Sequence, residues 1–445
     1  MKTRESIAIG IPHILLPRRG LDLGKWAVIA CDQHTSEPAY WEKVSDYVGD
    51  APSALHLIYP EVYLGEPDSG ERIARIQDHM RLYRERGIFE EFEGFVYVER
   101  VLGRKTRRGL MACLDLERYD FRRGAASLIR ASEDTILERI PPRVKIREGA
   151  SLEIPHIMVL IDDPDDSVIG PLSRRKESLQ RLYDFELMMD SGRLTGYLVG
   201  DPALEAGAVS SLQALAEPER FRRKYDMGTD VPVLLFAVGD GNHALATAKT
   251  VWEKAKEAAS DTASVRNSPL RYALVELVNL HDEALRFEPI HRVLFGLAAE
   301  RRLADEIRSY YQGRCACRAC PSLESMRSAV DSQKGDPQKI GVISASGFSL
   351  WEISSPPSNL PVGTLQIFLD EFIKSGGARM IDYVHGTDSV VRLGRTPEAA
   401  GFYLPAMNKN EFFETIITDG VLPRKTFSLG EARDKRFYME VRSLS

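Results

Sequence analysis

Residues 231–260, VPVLLFAVGDGNHALATAKTVWEKAKEAAS, decide how this chain is read. Val231, Val233, Leu234, Leu235, Phe236 and Val238 make an apolar run that reads as a strand buried on both faces. Ala244, Leu245, Ala248, Val251, Trp252 and Ala255 then recur three or four apart and mark one face of a helix. Between strand and helix stands Gly239-Asp240-Gly241-Asn242-His243. Glycines let a backbone approach a ligand closely, and free amides at a helix start face anions, so this turn suits a phosphate. His243 adds a donor, and Asp240 can hold a magnesium ion or a substrate hydroxyl. The plainer reading is that Asp240 or Asn242 only caps the helix while the glycines shape the turn.

Outward from this unit, strands alternate with helices. Toward the N-terminus, Ile73, Ile76, Met80 and Tyr83 predict a helix capped at Asp68 or Ser69 and ended at Gly87. A hairpin follows from Phe95–Leu102 and Gly109–Leu116, turned at Gly103–Thr106. Ile157–Ile161 predicts a buried strand ending in Asp162, Asp163, Asp165 and Asp166, which with Pro164 read as a solvated acidic turn. Toward the C-terminus, 260–269 reads as a connection between subdomains, 272–280 and FEPIHRVLFG as strands, and 363–374 as a helix. The pattern is α/β (mixed α+β), with two or three subdomains around a central cleft. The expected limits are 1–125 for an N-terminal α/β subdomain with the hairpin, 126–260 for a core subdomain, and 261–445 for a C-terminal α/β subdomain.

Composition narrows the functional classes. The 445 residues carry 59 Lys and Arg against 65 Asp and Glu, a net charge of −6, and 43% are hydrophobic. That is enough apolar material for several cores and excludes disorder as the main state. The mild acidity argues against a nucleic-acid partner, which needs a concentrated basic face. The apolar stretch from Ile7 to Leu16 is broken by Pro12 and His13, and Val231–Val238 is far short of the ~20 residues that span a bilayer. With five cysteines, an odd number, these features place the protein in the cytoplasm with no membrane partner. Cys315, Cys317 and Cys320 lack a fourth ligand at zinc-site spacing and read as thiols on a strand of small and basic residues.

Other stretches offer chemistry. Arg130-Ala131-Ser132-Glu133-Asp134-Thr135 groups a guanidinium, two hydroxyls and carboxylates. Arg130 can neutralise phosphate, Ser132 and Thr135 can bond its oxygens, and Glu133 can take a proton. A charged helix start explains the same residues. Cys31-Asp32-Gln33-His34-Thr35, His291-Arg292 and His385-Gly386 each follow a strand-like run and can converge on one cleft or merely cap elements. Gly20-Leu21-Asp22-Leu23-Gly24-Lys25-Trp26 imitates a phosphate loop, but its glycines are too close and Trp26 replaces the magnesium-binding hydroxyl. GxGxxG, HExxH and GxSxG are absent.

Taken together, RASEDTILERIPPRVKIREGA, LEIPHIMVLIDDP, VGDGNHALATAK, FEPIHR and IDYVHG resemble the prokaryotic family known as domain of unknown function 1015. The likeness runs from CDQHT to GVLPRKTFSLGEARDKRFYMEVR. The family's D-G-x-H element is similar to the phosphate-binding D-G-H-H-R turn of the ParB and sulfiredoxin superfamily, which includes free-serine kinases. This resemblance implies a ParB/sulfiredoxin-like phosphate-binding core and a small-molecule kinase that makes O-phosphoserine from L-serine with ATP or ADP and Mg2+. On it Asp240, Gly241 and His243 match the turn, while Arg130, Ser132, Glu133 and Thr135 match the family's R-A-T-E-G-T stretch. Asn242 replaces the first His and Ala244 the Arg of the superfamily turn, so Arg130 or Arg292 would supply the missing charge.

The implied catalytic residues are Glu133, Asp240 and His243. Phosphate and nucleotide fall to Arg130, Ser132, Thr135, Gly239, Gly241, Asn242 and Arg292, and the amino acid to Asp32, Gln33, His291 and His385. Asp240 would hold the metal. The partners are then a nucleotide and an amino acid, with a homo-oligomer allowed. A nucleotide-sensing protein without turnover and a phosphoester hydrolase would use the same residues.

Overall fold

The computed structural model describes residues 1–261, 265–298 and 302–445. Two compact units emerge, Met1–Leu285 together with Gly430–Ser445, and Arg286–Leu429. The expected limits at 125/126 and 260/261 differ from this division for a reason of pairing. Tyr272–Asn279 lies in the middle of the first unit's sheet, between Lys105–Asp115 and Met158–Ile161, so all three expected segments share one sheet.

That sheet has eleven strands among the described residues. Its main path runs Gln180–Glu186, Arg193–Val199, Phe95–Leu102, Lys105–Asp115, Tyr272–Asn279, Met158–Ile161, Phe236–Asp240, Ile129–Arg130 and Tyr119–Asp120. Strand alternation gives it two apolar faces. On one, Phe95, Tyr97, Leu110, Val159, Phe236 and Val238 pack with Leu204 and Leu212 of the helix Pro202–Leu215 and with Leu245, Ala248 and Trp252 of the helix Asn242–Ala258. On the other, Val96, Val98, Met111, Cys113 and Leu274 pack with Trp26, Trp41, Met80, Tyr83 and the returning residues Phe437, Tyr438 and Met439.

The second face also carries charge. Arg100, Arg107 and Glu276 continue the parity of Val98, Met111 and Leu274, and all three are buried. Arg436 donates to Glu276 at 2.5 Å and to Glu440, which also accepts from the Tyr183 hydroxyl. Gly109 makes room for this network, since a Cβ there would lie 2.3 Å from Glu276 Oε1.

The predicted hairpin forms as Phe95–Leu102 and Lys105–Asp115, with a tighter turn than expected. The strand expected from Val231 begins only at Phe236 and extends through Asp240. Pro232 has no N–H for a ladder, and its carbonyl accepts from Arg130 Nη2 at 2.8 Å. The aspartates after Ile161 are not all solvated. Asp163 is fully buried, and Asp162 is held by His281 and Lys224, each at 2.7 Å, and by Tyr225.

The second unit has a seven-stranded sheet among the described residues, in the path Cys315–Cys320, Gly347–Ile353, Gln338–Ser344, Ala399–Tyr403, Phe287–Phe295 and Met380–His385, with Phe427–Leu429 beside Phe287–Phe295. The predicted helix near 363–374 spans Pro361–Lys374. Residues 262–264 of the expected connection lie outside the described residues. Among the described residues no helix is long and apolar enough to cross a membrane.

Two stability outcomes follow. Gly109→Ala forces a methyl against a carboxylate that its partners hold in place, and urea unfolding is expected to show a loss of about 1–3 kcal/mol. Burial opposes the charge on Asp162, but His281, Lys224 and Tyr225 more than offset it and lower its pKa from 3.8 to about 2. A depressed carboxylate stabilises above its unfolded pKa and loses that contribution as pH falls toward its folded one. Asp162→Asn is therefore expected to cost about 2 kcal/mol at pH 7, and the gap to the parent should shrink as unfolding is repeated from pH 4 down to pH 2.

Candidate functional site

Asp240 ends its strand opposite Met158, which is itself level with Glu276 on the next strand. The register slips by one residue between Met158 and Val159, so Gly239 is the extra residue of a bulge. Bulges of this kind re-aim side chains at sheet ends. Gly241 follows with φ +81°, and a Cβ there would sit 3.1 Å from Ile157 Cα, so conformation and space both demand glycine. Helix Asn242–Ala258 then starts on Gly241 with no side chain capping it. The plainer reading, in which Asp240 or Asn242 caps the helix, is not what the geometry shows.

Asn242 instead reaches across to the RASEDT stretch. Its Oδ1 accepts from the Ser132 amide at 3.1 Å, and its Nδ2 donates to Ser132 Oγ at 3.2 Å. His243 Nε2 accepts from the Ile136 amide at 3.3 Å. Ile129–Arg130 runs parallel to Phe236–Ala237, so both motifs leave the sheet at the same end. The resemblance implied that the RASEDT stretch and the GDGNH turn serve one ligand, and the structure brings Ser132, Asn242 and His243 together, partly through bonds between the two stretches themselves.

Arg130 lies beside Ala237 and is buried, with Nε on the Ser127 carbonyl at 2.9 Å and Nη2 on that of Pro232. Burial lowers its pKa to about 10, which leaves it charged at neutral pH. Glu133 is half-buried. Thr135 Oγ1 is buried and has no hydrogen-bond partner among the described residues.

The C-terminal segment brings in a cation that the sequence reading missed. Lys435 Nζ sits 3.0 Å from Asp240 Oδ2, while Asp240 Oδ1 accepts from the Gly241 amide at 3.0 Å. The same ammonium acts on Asp32. Burial works against that carboxylate's charge, but His156, the Gln33 amide at 2.9 Å and Lys435 together hold its pKa below the ordinary value. His156 Nε2 stands 3.7 Å from Asp32 Oδ2, and its Nδ1 is 2.8 Å from the Tyr438 hydroxyl, which also accepts from the Cys31 amide at 3.1 Å. Asp32 and Gln33 thus belong to the same group as Asp240.

Lys435, His156 and Tyr438 had a weak signal in the sequence. His156 stands in LEIPHIMVLIDDP and the other two in the final segment, but 195 residues separate Lys435 from Asp240.

His291, Arg292 and His385 belong to the second unit. Arg292 is buried, and its guanidinium donates to Gln366 and to the carbonyls of Ile290, Lys425 and Arg424. That is the work of a backbone staple, which overturns the expectation of a charge reserved for phosphate. His291 is buried, accepts from the Leu404 amide at 3.2 Å and stacks on Tyr403. Burial, with Arg292, His385 and Arg327, lowers its pKa to about 3, so it stays neutral. His385 is exposed at the end of its strand.

A family model described as protein of unknown function (DUF1015) matches residues 15–371, most of the chain. The chain belongs to the DUF1015 family. The match takes in CDQHT, RASEDT and GDGNH and stops short of Lys435. No curated protein matches the sequence. Among solved structures, the chain is distantly similar to a mutant free serine kinase in complex with AMP (10% identity, TM-score 0.36, covering 75% of this chain and 91% of that one). It is similar to another such mutant in complex with ADP at 9% identity and TM-score 0.37, covering 75% and 92%. A third is a conserved hypothetical protein from Pyrococcus furiosus, at 10% identity and TM-score 0.33, covering 74% and 90%.

Asn242→Ala removes both bonds to Ser132 and leaves a buried amide and hydroxyl unpaired. Thermal or urea unfolding is expected to show a loss of about 1–3 kcal/mol.

Proposed function

We propose that this DUF1015 protein is a nucleotide-dependent kinase of a small hydroxyl-bearing amino acid, free L-serine, with a ParB/sulfiredoxin-like phosphate-binding core. The observation that carries the reading is the Asp240–Lys435 pair at the start of an uncapped helix that is joined to the RASEDT stretch through Asn242.

Phosphoryl transfer asks for positioned charge more than for covalent chemistry. The uncapped start of helix Asn242–Ala258 offers an anion its positive dipole end, and Lys435, 3.0 Å from Asp240, adds a full charge to a turn that carries Ala244 in place of the superfamily's arginine. The partnerless Thr135 hydroxyl is a ready donor to a phosphate oxygen. Asp240 is the base that takes the serine hydroxyl proton, and Glu133, next in the chain to the Ser132 that Asn242 holds, is the second candidate for that role. Asp32, held ionised, suits the ammonium of an amino acid, and Gln33 orients it.

Magnesium is held by one or two carboxylates plus substrate phosphates, and Asp240 is the carboxylate at this turn that would hold it. When bound, it would neutralise charge on the phosphate oxygens. Lys435 already supplies part of that neutralisation from the protein side.

The test is incubation of the full chain with L-serine, Mg2+ and either ATP or ADP, read by mass spectrometry for O-phosphoserine. Nucleotide binding without any phosphorylated product would favour a sensor, and free phosphate without an acceptor would favour hydrolysis. With turnover in hand, Asp240→Asn is expected to lower kcat by ~10²–10⁴ with little change in nucleotide affinity. Lys435→Met should raise KM for the nucleotide more than it lowers kcat, since that charge meets the phosphates before and during transfer.

A further inference from the structure

Cys315, Cys317 and Cys320 take no part in the reading above. They lie on the strand Cys315–Cys320, at one edge of the second unit's sheet, paired with Gly347–Ile353. All three are free thiols. Alternation along the strand sends Cys315 and Cys317 to one face and Cys320 to the other. The Sγ atoms of Cys315 and Cys317 stand 3.9 Å apart.

The helix Leu303–Tyr310 borders this pair. Cys317 Sγ is 3.9 Å from the Ala304 carbonyl oxygen, and Arg308 donates to the Cys317 carbonyl at 3.3 Å. Cys315 is buried, whereas Cys317 is partly exposed, so a reagent meets Cys317 first. Positions two apart on a strand are separated by roughly 6.6–6.8 Å between Cα atoms. This is the upper end of the span a disulfide can bridge, near 6.8 Å. Among the described residues the edge strand pairs on one side only, which leaves it room to close the gap.

We propose that Cys315 and Cys317 form a reversible dithiol–disulfide site, with Cys317 as the attacking thiol and Cys315 as the resolving one. The contact between them prepares these roles. The hydrogen bond from Cys315 lowers the Cys317 thiol's pKa, with help from Arg308 against burial, and the same bond together with burial raises that of Cys315. A small-molecule disulfide such as oxidised glutathione is the oxidant. Cys317 thiolate attacks one of its sulfurs, forming a mixed disulfide and releasing one glutathione thiolate. Cys315 then loses its proton to solvent and attacks Cys317 Sγ, which closes the Cys315–Cys317 bond and expels the second glutathione thiolate. Two protein thiols are oxidised, and one glutathione disulfide is reduced to two thiols. A stretched i, i+2 bridge is easily reduced, so the site works in both directions.

The experiment treats the full chain with oxidised glutathione, blocks remaining thiols by alkylation and digests with trypsin. Cleavage after Arg314 and Arg318 isolates a peptide that holds both thiols and excludes Cys320. The expected result is loss of two hydrogens from this peptide, reversed by dithiothreitol. Cys315→Ser should accumulate a stable glutathione adduct on Cys317, at least tenfold above the parent, and Cys317→Ser should leave Cys315 reduced. Cys320→Ser should oxidise like the parent. The proposal is overturned if the parent accumulates the Cys317 adduct without closing the bridge, or stays reduced. Oxidation of Cys315 at the parental rate in Cys317→Ser would equally overturn it. These readouts concern thiols alone and stand or fall independently of kinase activity.

Discussion

Arg436 holds one guanidinium between two buried carboxylates, Glu276 on the central strand and Glu440 four residues further along its own segment. Its Nε also donates to the Pro155 carbonyl at 3.1 Å. Charges so far from water survive only when paired and hydrogen-bonded, and removal of one partner typically costs about 3–5 kcal/mol. The arrangement therefore ties the returning segment to the sheet at a fixed place. Arg100 and Arg107, opposite one another on neighbouring strands, add bonds to the carbonyls of Arg433 and Asp434, both at 2.9 Å. Lys435 comes next in the chain, and its reach to Asp240 follows from these anchors on either side.

The same logic explains why glycine recurs inside the sheet. Gly109 yields its space to the Glu276 carboxylate, and Gly196 yields its own to the Tyr183 ring, whose hydroxyl bonds Glu440. Strand interiors lose stability when glycine replaces a packing side chain. Here that loss is exchanged for a polar layer laid across an otherwise apolar face, and the layer locates the site.

Much of the site was legible because it is local. The apolar run and the helical spacing around Gly239–His243 announced a strand, a turn and a helix, and the family resemblance set Arg130–Thr135 beside them. Periodicity carried less at the strand's start, where Pro232 interrupts the ladder in favour of a bond to Arg130. The domain limits were hidden because strand order in a sheet is set by pairing between distant segments, and Tyr272–Asn279 completes a sheet begun before residue 120. Lys435 was hidden for the same reason. Arg292 misled because a basic residue after a strand looks alike whether its guanidinium meets a ligand or, as here, backbone carbonyls.

Discontinuity of the first unit has a consequence for biosynthesis. Its strands up to Tyr272–Asn279 leave the ribosome before Arg286–Leu429, yet Lys435, Arg436 and Tyr438 emerge only afterwards. At ~5–20 residues per second the nascent chain spends on the order of ten seconds with its sheet synthesised and this face uncovered. During that interval Glu276 has no Arg436 and Asp240 no Lys435. The cell thus makes the larger unit in two instalments, and its buried charge network is complete only with the second.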